Sequence, residues 1–407
     1  MDLSELMSTV VEDAALRRRQ HLQPVGGKGD KIFPPTYPGE QNGEPPRHVY
    51  EIRRIEGNDV WCVLLDSVQS QANRLEQSLL GLAQQELLRL PYLVVDFTES
   101  DLPGVVPEIT SLDAPHRVYD AIFRDSLLDS SPFMQSDLGV RLASASAVDS
   151  SAILEVSPTA LLFGSWHSTG AGGGMGAKFA RCLTSEIVAV GVPVEKHVNS
   201  RTSEVVYRTA ARRTGSRIDP LGVLKGVEVY KSDAGWDVDQ DRAGKNAKKV
   251  RPSEINHGNI APSVEPLGVT CDYAEHMFVL SFAGLRRLHF GSDARDSAAR
   301  ALLASLGILA ILEQDLQGYA LRSRCDLVAE GRAPFEVVHP DGSTEEVSVG
   351  RDNALSLYHA AYEAALGSGF HLQAEPIRLF PQSKLVEIVR QSQRLALAGK
   401  GGEADDQ

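Results

Sequence analysis

Two runs rich in apolar residues lie on either side of the turn-forming residues Glu56, Gly57 and Asn58. The flanking runs read HVYEIRRI and DVWCVLLD, and turn-forming residues between two such runs predict a β-hairpin. The next segment, SVQSQANRLEQSLLGLAQQELL, repeats its apolar residues every three or four positions. This spacing predicts an amphipathic helix that begins near Ser67. A strand, PYLVVDF, and a helix, HRVYDAIFRDSLL, are predicted to follow.

The middle of the chain contains two kinds of pattern. An apolar run from Ala152 to Phe163 predicts a strand, which leads through a glycine-dense loop into a helix from about Ala177 to Glu186. Residues 199–275 differ, because short β-like pieces alternate there with a polar stretch too long for a compact connection. We therefore expect this region to be an insertion that projects from the core.

Regular patterns resume in the last third of the chain. MFVLSFAGLRRLHF predicts a strand and SDARDSAARALLASLGILAILEQDL a long helix, while FEVVH and EEVSV flank the turn residues Pro340, Asp341 and Gly342 as in a hairpin. Two helices, near residues 353–366 and 383–398, are predicted to close the fold. Strands interleaved with helices and hairpins indicate an α+β fold of the split βαβ type with large insertions.

The ends of the chain are rich in polar residues, proline and glycine. We expect residues 1–45 to be a flexible arm, residues 46–398 to form one domain that includes the insertion at 199–275, and residues 399–407 to be a disordered tail. The chain has no apolar run of about 18 residues and no signal-peptide core, so we expect a soluble, cytoplasmic protein. Its four isolated cysteines predict buried thiols rather than a disulfide frame or a zinc site.

Charge is segregated along the sequence. The chain has a formal net charge of −13, yet residues 164–252 hold 15 Lys or Arg against 9 Asp or Glu, and the remainder holds 26 against 45. A locally basic surface on an acidic body can bind a polyanion at one face. The acidic total therefore does not exclude a nucleic-acid ligand.

The segment SPTALLFGSWHSTGAGGGMGAKFAR, from Ser157 to Arg181, points most directly to a ligand. Glycine is dense between Gly164 and Gly176, so the backbone there can lie close to a bound molecule. Lys178 and Arg181 follow at the predicted helix start, where backbone amides and the helix dipole also favour an anion. The segment therefore predicts a phosphate-binding loop.

This same region resembles a known family. ALLFGSWHSTGAGGGMGAKFARCLTSEIVAVG is similar to the signature block of the RAMP-type backbone subunit of type I-U, or I-G, CRISPR surveillance complexes. Four further blocks resemble that family: DSVQSQANRLE at Asp66, RPSEINHGNI at Arg251, LSFAGLRRLHFG at Leu280 and LRSRCDLVAEG at Leu321. The blocks follow one another in family order, so the resemblance covers most of the chain.

The resemblance implies a non-catalytic subunit, without cofactor, metal or membrane, that oligomerises along CRISPR guide RNA and presents it for pairing with target DNA. Its implied partners are that RNA, copies of itself in a helical filament, the target DNA through the guide, and the other Cascade subunits. Family members are similar to a right hand with an RRM-like palm and an inserted thumb. The insertion at 199–275 is where such a thumb would lie.

An ordinary RRM reads RNA through aromatic residues on its sheet, and the corresponding sequence motif is missing here. Phe278, Phe282 and Phe290 lie at even offsets in the predicted strand, but Leu280 and Leu288 share their face, which predicts core. We therefore expect RNA contacts from loops, helix ends and the insertion, mainly to phosphate and ribose.

Under this hypothesis the RNA-binding residues come from the helix start near Ser67, the phosphate-binding loop, the insertion and the end of the strand near Leu280. They are Ser67, Gln69, Asn73, Arg74, His167, Ser168, Thr169, Gly170, Gly172, Gly173, Gly174, Gly176, Lys178, Arg181, Arg208, Arg212, Arg213, Lys248, Lys249, Arg251, Asn256, His257, Arg286 and Arg287. Helix capping is the structural alternative for Ser67, and a solvated basic face is the alternative for the arginines near residue 210.

Two other functions fit parts of the sequence. Gly172, Gly174 and Ala177 satisfy a loose G-x-G-x-x-G/A pattern, and Glu195 follows about 20 residues further on, as in dinucleotide-binding proteins. The alternative is thus a nucleotide-binding α/β enzyme, for NAD or an ATP-like ligand, that uses the Gly172 to Lys178 loop. A structural assembly protein without nucleic acid would also account for the acidic body. The resemblance favours RNA binding without enzymatic activity.

Overall fold

The computed structural model describes residues 1–38, 47–106, 108–167, 178–198, 203, 205–223, 227–233 and 235–397. Three short 3₁₀ helices in these ranges span Arg117–Tyr119, Phe133–Gln135 and Pro252–Ile255. The α-helices are α1 (Leu3–Glu12), α2 (Val68–Gln84), α3 (Ala121–Arg124), α4 (Asp137–Ser144), α5 (Ser151–Val156), α6 (Pro158–Leu162), α7 (Gln240–Ala243), α8 (Phe282–Arg286), α9 (Asp293–Gln317), α10 (Arg351–Gly367) and α11 (Ser383–Leu397).

The strands of the described ranges are β1 (Ala15–Pro24), β2 (Tyr50–Ile55), β3 (Asn58–Asp66), β4 (Leu93–Val95), β5 (Ile109–Thr110), β6 (Ser126–Leu128), β7 (Ser131–Pro132), β8 (Ser165–Trp166), β9 (Lys178–Phe179), β10 (Leu183–Val190), β11 (Val194–Val198), β12 (Val205–Thr209), β13 (Arg213–Arg217), β14 (Val229–Ser232), β15 (Gly235–Asp237), β16 (Lys248–Val250), β17 (Ile260–Glu265), β18 (Tyr273–Ser281), β19 (Tyr319–Arg322), β20 (Cys325–Ala329), β21 (Phe335–Val338), β22 (Thr344–Val347) and β23 (Ile377–Pro381). Together with the helices they make a mixed α+β fold, as predicted.

The largest sheet holds β1 near its centre. Its strands follow the order β19-β20-β1-β18-β10-β3-β2, and every neighbouring pair in this path is antiparallel. The hairpin β21–β22 joins the sheet because β21 also pairs with β1. The flexible arm predicted for residues 1–45 is therefore wrong for residues 3–24, which form a capped helix and a central strand.

A helical layer packs against this sheet and encloses the main hydrophobic core. Helix α9 contacts α1, α2 and α10, and it also contacts β18. Ser292 caps α9 by accepting a hydrogen bond from the Arg295 amide. Nearly every residue from Ala298 to Gln314 is buried, as expected for a helix that is apolar on most of its circumference. The predicted long helix is confirmed.

Other predicted elements are confirmed as well. The hairpin β2–β3 turns at Glu56 and Gly57, and α2 begins directly after Ser67, whose hydroxyl accepts a hydrogen bond from the Ser70 amide at 3.3 Å. The hairpin β21–β22 and the helices α10 and α11 lie where the pattern predicts them.

Two predictions around the glycine-dense segment are wrong. The predicted strand from Ala152 to Phe163 is instead the helix pair α5 and α6, with Pro158 at the first position of α6, where proline is favourable. The predicted helix from Ala177 to Glu186 is replaced by strands β9 and β10. The chain therefore passes from two helices through the short strand β8 before the segment, and it continues through strands after it.

Two further predicted elements end earlier than the pattern suggests. The strand predicted from Met277 to Phe290 stops at Ser281, whose side chain caps α8 by accepting from the Gly284 amide at 3.0 Å. The helix predicted for HRVYDAIFRDSLL breaks into the 3₁₀ helix Arg117–Tyr119, α3 and β6. The expected core positions are confirmed, because the three phenylalanines and two leucines of the former segment are buried: Phe278, Leu280, Phe282, Leu288 and Phe290.

The described residues also form smaller sheets. Strand β23 pairs in parallel with β4 within a sheet ordered β5-β4-β23-β6-β7. Between residues 194 and 265, the described strands form three separate ladders, β11–β12, β13–β17 and β15-β14-β16. Within the described ranges these strands pair with one another and not with the main sheet.

The cysteines occur singly, as their spacing predicts. Cys62, Cys182 and Cys325 are buried and Cys271 is half-buried. Burial raises the pKa of the Cys182 thiol to about 12, so this thiol stays protonated at neutral pH. In the ranges covered by the structure, no helix combines the length and apolar character needed to cross a membrane.

A chain of buried polar side chains crosses the main sheet. Arg18 of β1 donates to both carboxylate oxygens of Asp315, at 2.5 and 2.7 Å, and the Tyr319 hydroxyl also donates to Asp315. His276 of β18 lies between two hydroxyls, with Nδ1 3.1 Å from Tyr319 Oη and Nε2 2.7 Å from Ser185 Oγ of β10. These contacts join three adjacent strands to the end of α9.

The same chain continues into α2 and the hairpin β19–β20. Ser185 Oγ lies 3.0 Å from Gln71 Oε1 as well as 2.7 Å from His276 Nε2, and its single proton serves one of these two acceptors at a time. Gln71 Nε2 donates to Asp66 at 2.6 Å. Arg74 and Arg322 complete the chain by donating to the two oxygens of Asp66. Because a buried polar group without a partner is costly, the chain fixes the positions of the elements that supply its members.

The buried position of His276 predicts a loss of stability in acid. Burial, assisted by Arg18, lowers the pKa of His276 to about 3, whereas the unfolded chain has the ordinary value near 6.5. As the pH falls below about 6.5 the unfolded state gains a proton that the folded state does not bind. We expect this residue to cost about 1.4 kcal/mol for each pH unit below that point.

The measurement is urea unfolding of the protein and of His276→Gln between pH 7 and pH 4.5. The difference in unfolding free energy between the two proteins should shrink as the pH falls, because the glutamine does not titrate. A difference that is the same at every pH would show that His276 is not held neutral.

Candidate functional site

Strands β8 and β9 form a two-residue ladder that we call the stem. Ser165 pairs with Phe179, and Trp166 pairs with Lys178. The stem therefore brings together the two ends of the glycine-dense segment 168–177, which lies outside the described residues. The predicted site residues on that segment also lie outside them: Ser168, Thr169, Gly170, Gly172, Gly173, Gly174 and Gly176.

Close backbone packing beside the stem requires glycine at position 164. Gly164 has a φ of +82°, and a Cβ there would lie 3.0 Å from the Phe179 carbonyl oxygen. Arg117 Nη1 donates to the Gly164 carbonyl at 2.9 Å, and Arg181 Nε donates to the Phe163 carbonyl at 3.1 Å. Two guanidinium groups thus hold the backbone that leads into the stem.

Arg117 is itself held by a buried ion pair with Glu76 of α2. Its Nε and Nη2 each donate to one carboxylate oxygen at 2.7 Å, and the two side chains are only 7% and 1% exposed. Burial raises the pKa of Glu76 to about 7, while the charge and hydrogen bonds of Arg117 oppose that rise. Helix α2 therefore positions the stem through one bidentate contact.

Lys178 is the first residue of β9, and Arg181 follows β9 by two positions. Both residues are exposed, and Lys178 Nζ lies 5.9 Å from the centre of the Trp166 ring. Neither residue is at a helix N-terminus, so the helix dipole that the sequence suggested beside them does not act there. An anion near the stem would therefore be attracted by the charges of these two side chains and not by a helix dipole.

His167 packs inside the protein. The residue is 6% exposed, and its ring stacks on Tyr119 with centroids 4.9 Å apart and planes inclined by 4°. Burial, with a smaller contribution from the charge of Arg124, lowers the pKa of His167. The imidazole is therefore neutral at pH 7 and adds no positive charge beside the stem.

The predicted residues at the start of α2 separate into two pairs. Ser67 caps the helix, and Arg74 Nε donates to Asp66 at 2.9 Å while its Nη2 donates to the Leu321 carbonyl at 2.5 Å. The side chains of Ser67 and Arg74 therefore stabilise the fold. Gln69 and Asn73, one helical turn apart, are exposed and share a face of α2.

The arginines near residue 210 form ion pairs on the surface. Arg208 Nε and Arg212 Nη2 both donate to Glu195 at 2.7 Å, and Arg213 Nη2 donates to Glu265 at 2.6 Å. The hydrogen bond from Arg208, with those from Arg212, lowers the pKa of Glu195. Part of the basic charge expected at this face is therefore already neutralised by carboxylates.

Two lysines of β16 differ in their surroundings. Lys249 pairs with Glu228, and this contact raises the pKa of the lysine. Lys248 is exposed on the neighbouring position of the strand. Since successive strand residues point to opposite faces, the two charges are on opposite sides of the small sheet.

The residues after β16 surround a 3₁₀ helix. Arg251 precedes that helix and Asn256 ends it with a φ of 62°, a left-handed conformation that asparagine tolerates. His257 meets the edge of the Trp236 ring at a centroid distance of 5.7 Å, and 50% of Trp236 is exposed. The left-handed turn at the end of the 3₁₀ helix thus explains why an asparagine is found at position 256.

Arg286 and Arg287 end helix α8 rather than a strand, which corrects the prediction. The Arg286 guanidinium donates to the carbonyls of Val10, Val11 and Asp13 at the end of α1, at distances of 2.6 to 3.2 Å. It satisfies carbonyls that the end of a helix leaves unpaired. Arg287 is exposed.

A comparison with protein families links part of the chain to CRISPR systems. Residues 16–194 match the model of the family described as CRISPR-associated protein GSU0053 (Cas_GSU0053). The matched part contains β1, α2, the stem and the residues that support it. This part of the chain is therefore similar to a CRISPR-associated family. The comparison with curated proteins gave no match.

Sequence reasoning missed two parts of this site. The ion pair between Glu76 and Arg117 joins residues 41 positions apart, and no local pattern signals it. Trp166 was available as an aromatic residue at the edge of the glycine-dense segment, but its position opposite Lys178 depends on β9 being a strand. The sequence signal for this contact is a tryptophan just before the glycine-dense segment and a lysine just after it.

The buried pair predicts a large effect of a single substitution. Arg117→Ala should lower the free energy of unfolding by about 3–5 kcal/mol, because Glu76 would stay buried without a countercharge. Urea unfolding measures the loss. Arg54→Ala is a matched control, because its partner Asp59 and Arg54 itself are 64% and 71% exposed and little change is expected.

Removing both charges distinguishes the cost of an unpaired buried carboxylate from a simple loss of packing. The double substitution Glu76→Leu with Arg117→Met should be more stable than Arg117→Ala, since no buried charge then remains unpaired. A double variant that is as unstable as the single one would contradict the role given to the ion pair.

Proposed function

We propose that this protein is a non-catalytic, cytoplasmic subunit that binds the guide RNA of a type I CRISPR surveillance complex. Copies of the chain oligomerise along the RNA, present it for pairing with target DNA and contact the other Cascade subunits. The bound RNA is held mainly through its phosphates and riboses, because a backbone subunit accepts any spacer sequence.

The observation that carries the proposal is the placement of two exposed cations at the stem. Lys178 and Arg181 lie beside the ends of a segment whose sequence is dense in glycine, so positive charge meets a stretch of chain with few side chains. That arrangement suits close passage of a phosphate backbone. The stem also lies within the part of the chain that is similar to a CRISPR-associated family.

The main sheet supports an RRM-like palm. Strands β1 and β10 are parallel with β18 between them, and α2 lies between β1 and β10 in the sequence. Strands β18 and β20 are likewise parallel with β1 between them, and α9 lies on their connection. Two such interleaved units are the split βαβ arrangement. The ladders between residues 194 and 265 supply the thumb in this proposal.

The flanks of the glycine-dense segment count against the enzyme alternative. A dinucleotide-binding loop connects a strand to the N-terminus of a helix, which receives the pyrophosphate. Here the two-residue strand β8 precedes the segment, but the strands β9 and β10 follow it in place of a helix. The Gly172 to Lys178 pattern therefore lacks the structural context that gives such a motif its meaning.

The direct test is recovery of RNA from the assembled complex. The chain, expressed with its sister subunits and a CRISPR array transcript, should co-purify with discrete RNA of guide length, identified by sequencing. Complexes that assemble without RNA would overturn the proposal. Thermal stabilisation of the chain by NAD or ATP would instead favour the enzyme alternative.

The stem cations predict a change in salt dependence. Lys178→Ala with Arg181→Ala should weaken RNA binding and make the plot of log affinity against log salt shallower by about 0.7 for each phosphate that the variant no longer neutralises. The measurement is RNA affinity at several salt concentrations. Because Arg181 also holds the Phe163 carbonyl, Lys178→Ala alone is measured as well, and the melting temperature of each variant is compared.

A matched pair of substitutions removes the same charge elsewhere. Lys384→Ala with Arg394→Ala alters exposed positions on α11, outside the proposed interface, and should leave the salt dependence unchanged. If both double variants changed the slope equally, the effect would come from net charge and the stem would not be the RNA site.

The three-stranded ladder β15-β14-β16 allows a clean deletion. Val229 and Val250 are opposite each other, so residues 230–249 can be replaced by a short Gly-Ser linker that joins adjacent chain ends. We expect the melting temperature to change little, whereas target capture or filament order is lost. Electron microscopy and DNA binding of the complex are the measurements, and an intact, fully active filament would contradict the thumb assignment.

A further inference from the structure

Trp166 is exposed between two buried neighbours. It leaves 48% of its surface exposed, whereas Ser165 and His167, which point to the other side of β8, are 8% and 6% exposed. Nearby Phe163 and Phe179 are buried in the core. A large indole ring gains much by burial, so one held outside the core on an ordered strand fits a contact surface.

The register of the stem puts a cation on this ring. Lys178 is directly opposite Trp166, with Nζ 5.9 Å from the ring centre. Single-stranded nucleic acid is recognised by this combination, because an aromatic ring stacks on a base while a nearby cation neutralises phosphate. The exposed Arg181 adds a second positive charge three residues further along the chain.

We propose that Trp166 is a base-stacking residue for single-stranded RNA. Its exposed ring stacks on an unpaired nucleobase, and Lys178 contacts an adjacent phosphate. The inference rests on the proposed RNA-binding function and narrows it. It adds one stacked base to a site otherwise made of backbone contacts, and it gives a reason for the site to prefer single strands. Bases inside a duplex are already stacked on both sides, whereas any unpaired base offers a free face.

Tryptophan fluorescence reports directly on this contact. The chain has three tryptophans, and Trp61→Phe with Trp236→Phe leaves Trp166 as the sole one. Titration of this full-length variant with single-stranded oligo(U) and oligo(A) of about 12 nucleotides should quench its emission. A duplex RNA of the same length should quench it less at equal bound fraction.

Affinity measurements on the otherwise unchanged chain separate stacking from apolar burial. Trp166→Leu should weaken single-stranded RNA binding by about five-fold to 150-fold, the effect of losing one base stack. Trp166→Phe keeps an aromatic face and should lose less. Phe380→Leu is the matched control, because Phe380 of β23 is an aromatic residue of similar exposure outside the proposed interface, and it should bind as the unchanged chain does.

The outcomes distinguish this inference from the proposed function. If Trp166→Leu binds RNA with unchanged affinity and the Trp166 emission does not respond, while Lys178→Ala still changes the salt dependence, stacking is wrong and RNA binding stands. If Trp166→Leu weakens self-association and leaves RNA affinity intact, the ring contacts protein and the inference falls. If the unchanged chain and its assembled complex bind no RNA, the proposed function fails, and the inference fails with it.

Discussion

The structure depends on hydrogen bonding of a buried guanidinium at the centre of the main sheet. Arg18 is 1% exposed, donates to both oxygens of Asp315 and lies 5.4 Å from the ring of Phe335. An unpaired buried charge is very costly. If β1 and the end of α9 moved apart inside the folded protein, both Arg18 and Asp315 would lose their countercharge. The polar chain through His276 carries the same constraint across β18 and β10 to α2.

That constraint also connects the core with the candidate site. Helix α2 is held at its start by the contacts of Asp66, and two turns further on it supplies Glu76 to Arg117. Arg117 in turn holds the Gly164 carbonyl at the entrance to the stem. The position of Trp166 and Lys178 thus follows from a series of charge-assisted hydrogen bonds, which are stronger than neutral ones. A stem of two residue pairs would be marginal without this support.

The elements with clear periodicity were predictable, and the failures have physical causes. Helix α9 and the hairpin β2–β3 show the apolar spacing of their final structures. Strand β1 does not, because Arg18 and Gln20 lie on its inward face, where a pattern search expects apolar residues. Gln20 is satisfied there by the Gly331 carbonyl and the Ala333 amide. Polar residues buried through distant partners look like a flexible arm when the partners are unknown.

Short apolar runs failed for a different reason. The run that forms α5 and α6 is buried almost completely, so periodicity cannot separate a helix from a strand there. The predicted phosphate site changed as well, because its helix dipole depended on a helix from Ala177 to Glu186, where the structure has the strands β9 and β10. The residue types of the site were readable from the sequence, but the register that places Lys178 on Trp166 was not.

The contacts of the predicted cations separate those that can bind RNA from those that cannot. Arg74 and Arg286 satisfy buried or helix-terminal groups, so turning either side chain toward a phosphate would leave these groups without a partner. Arg208 and Arg212 share a surface carboxylate, and exchanging it for a phosphate costs little because surface ion pairs contribute little stability. Lys178 is exposed and lies against an aromatic ring, an arrangement that an approaching phosphate does not disrupt. Under the proposed function, a guide backbone would bind most readily at the stem and next at the pair Arg208 and Arg212 beside Glu195, while the buried arginines position the elements that carry both surfaces.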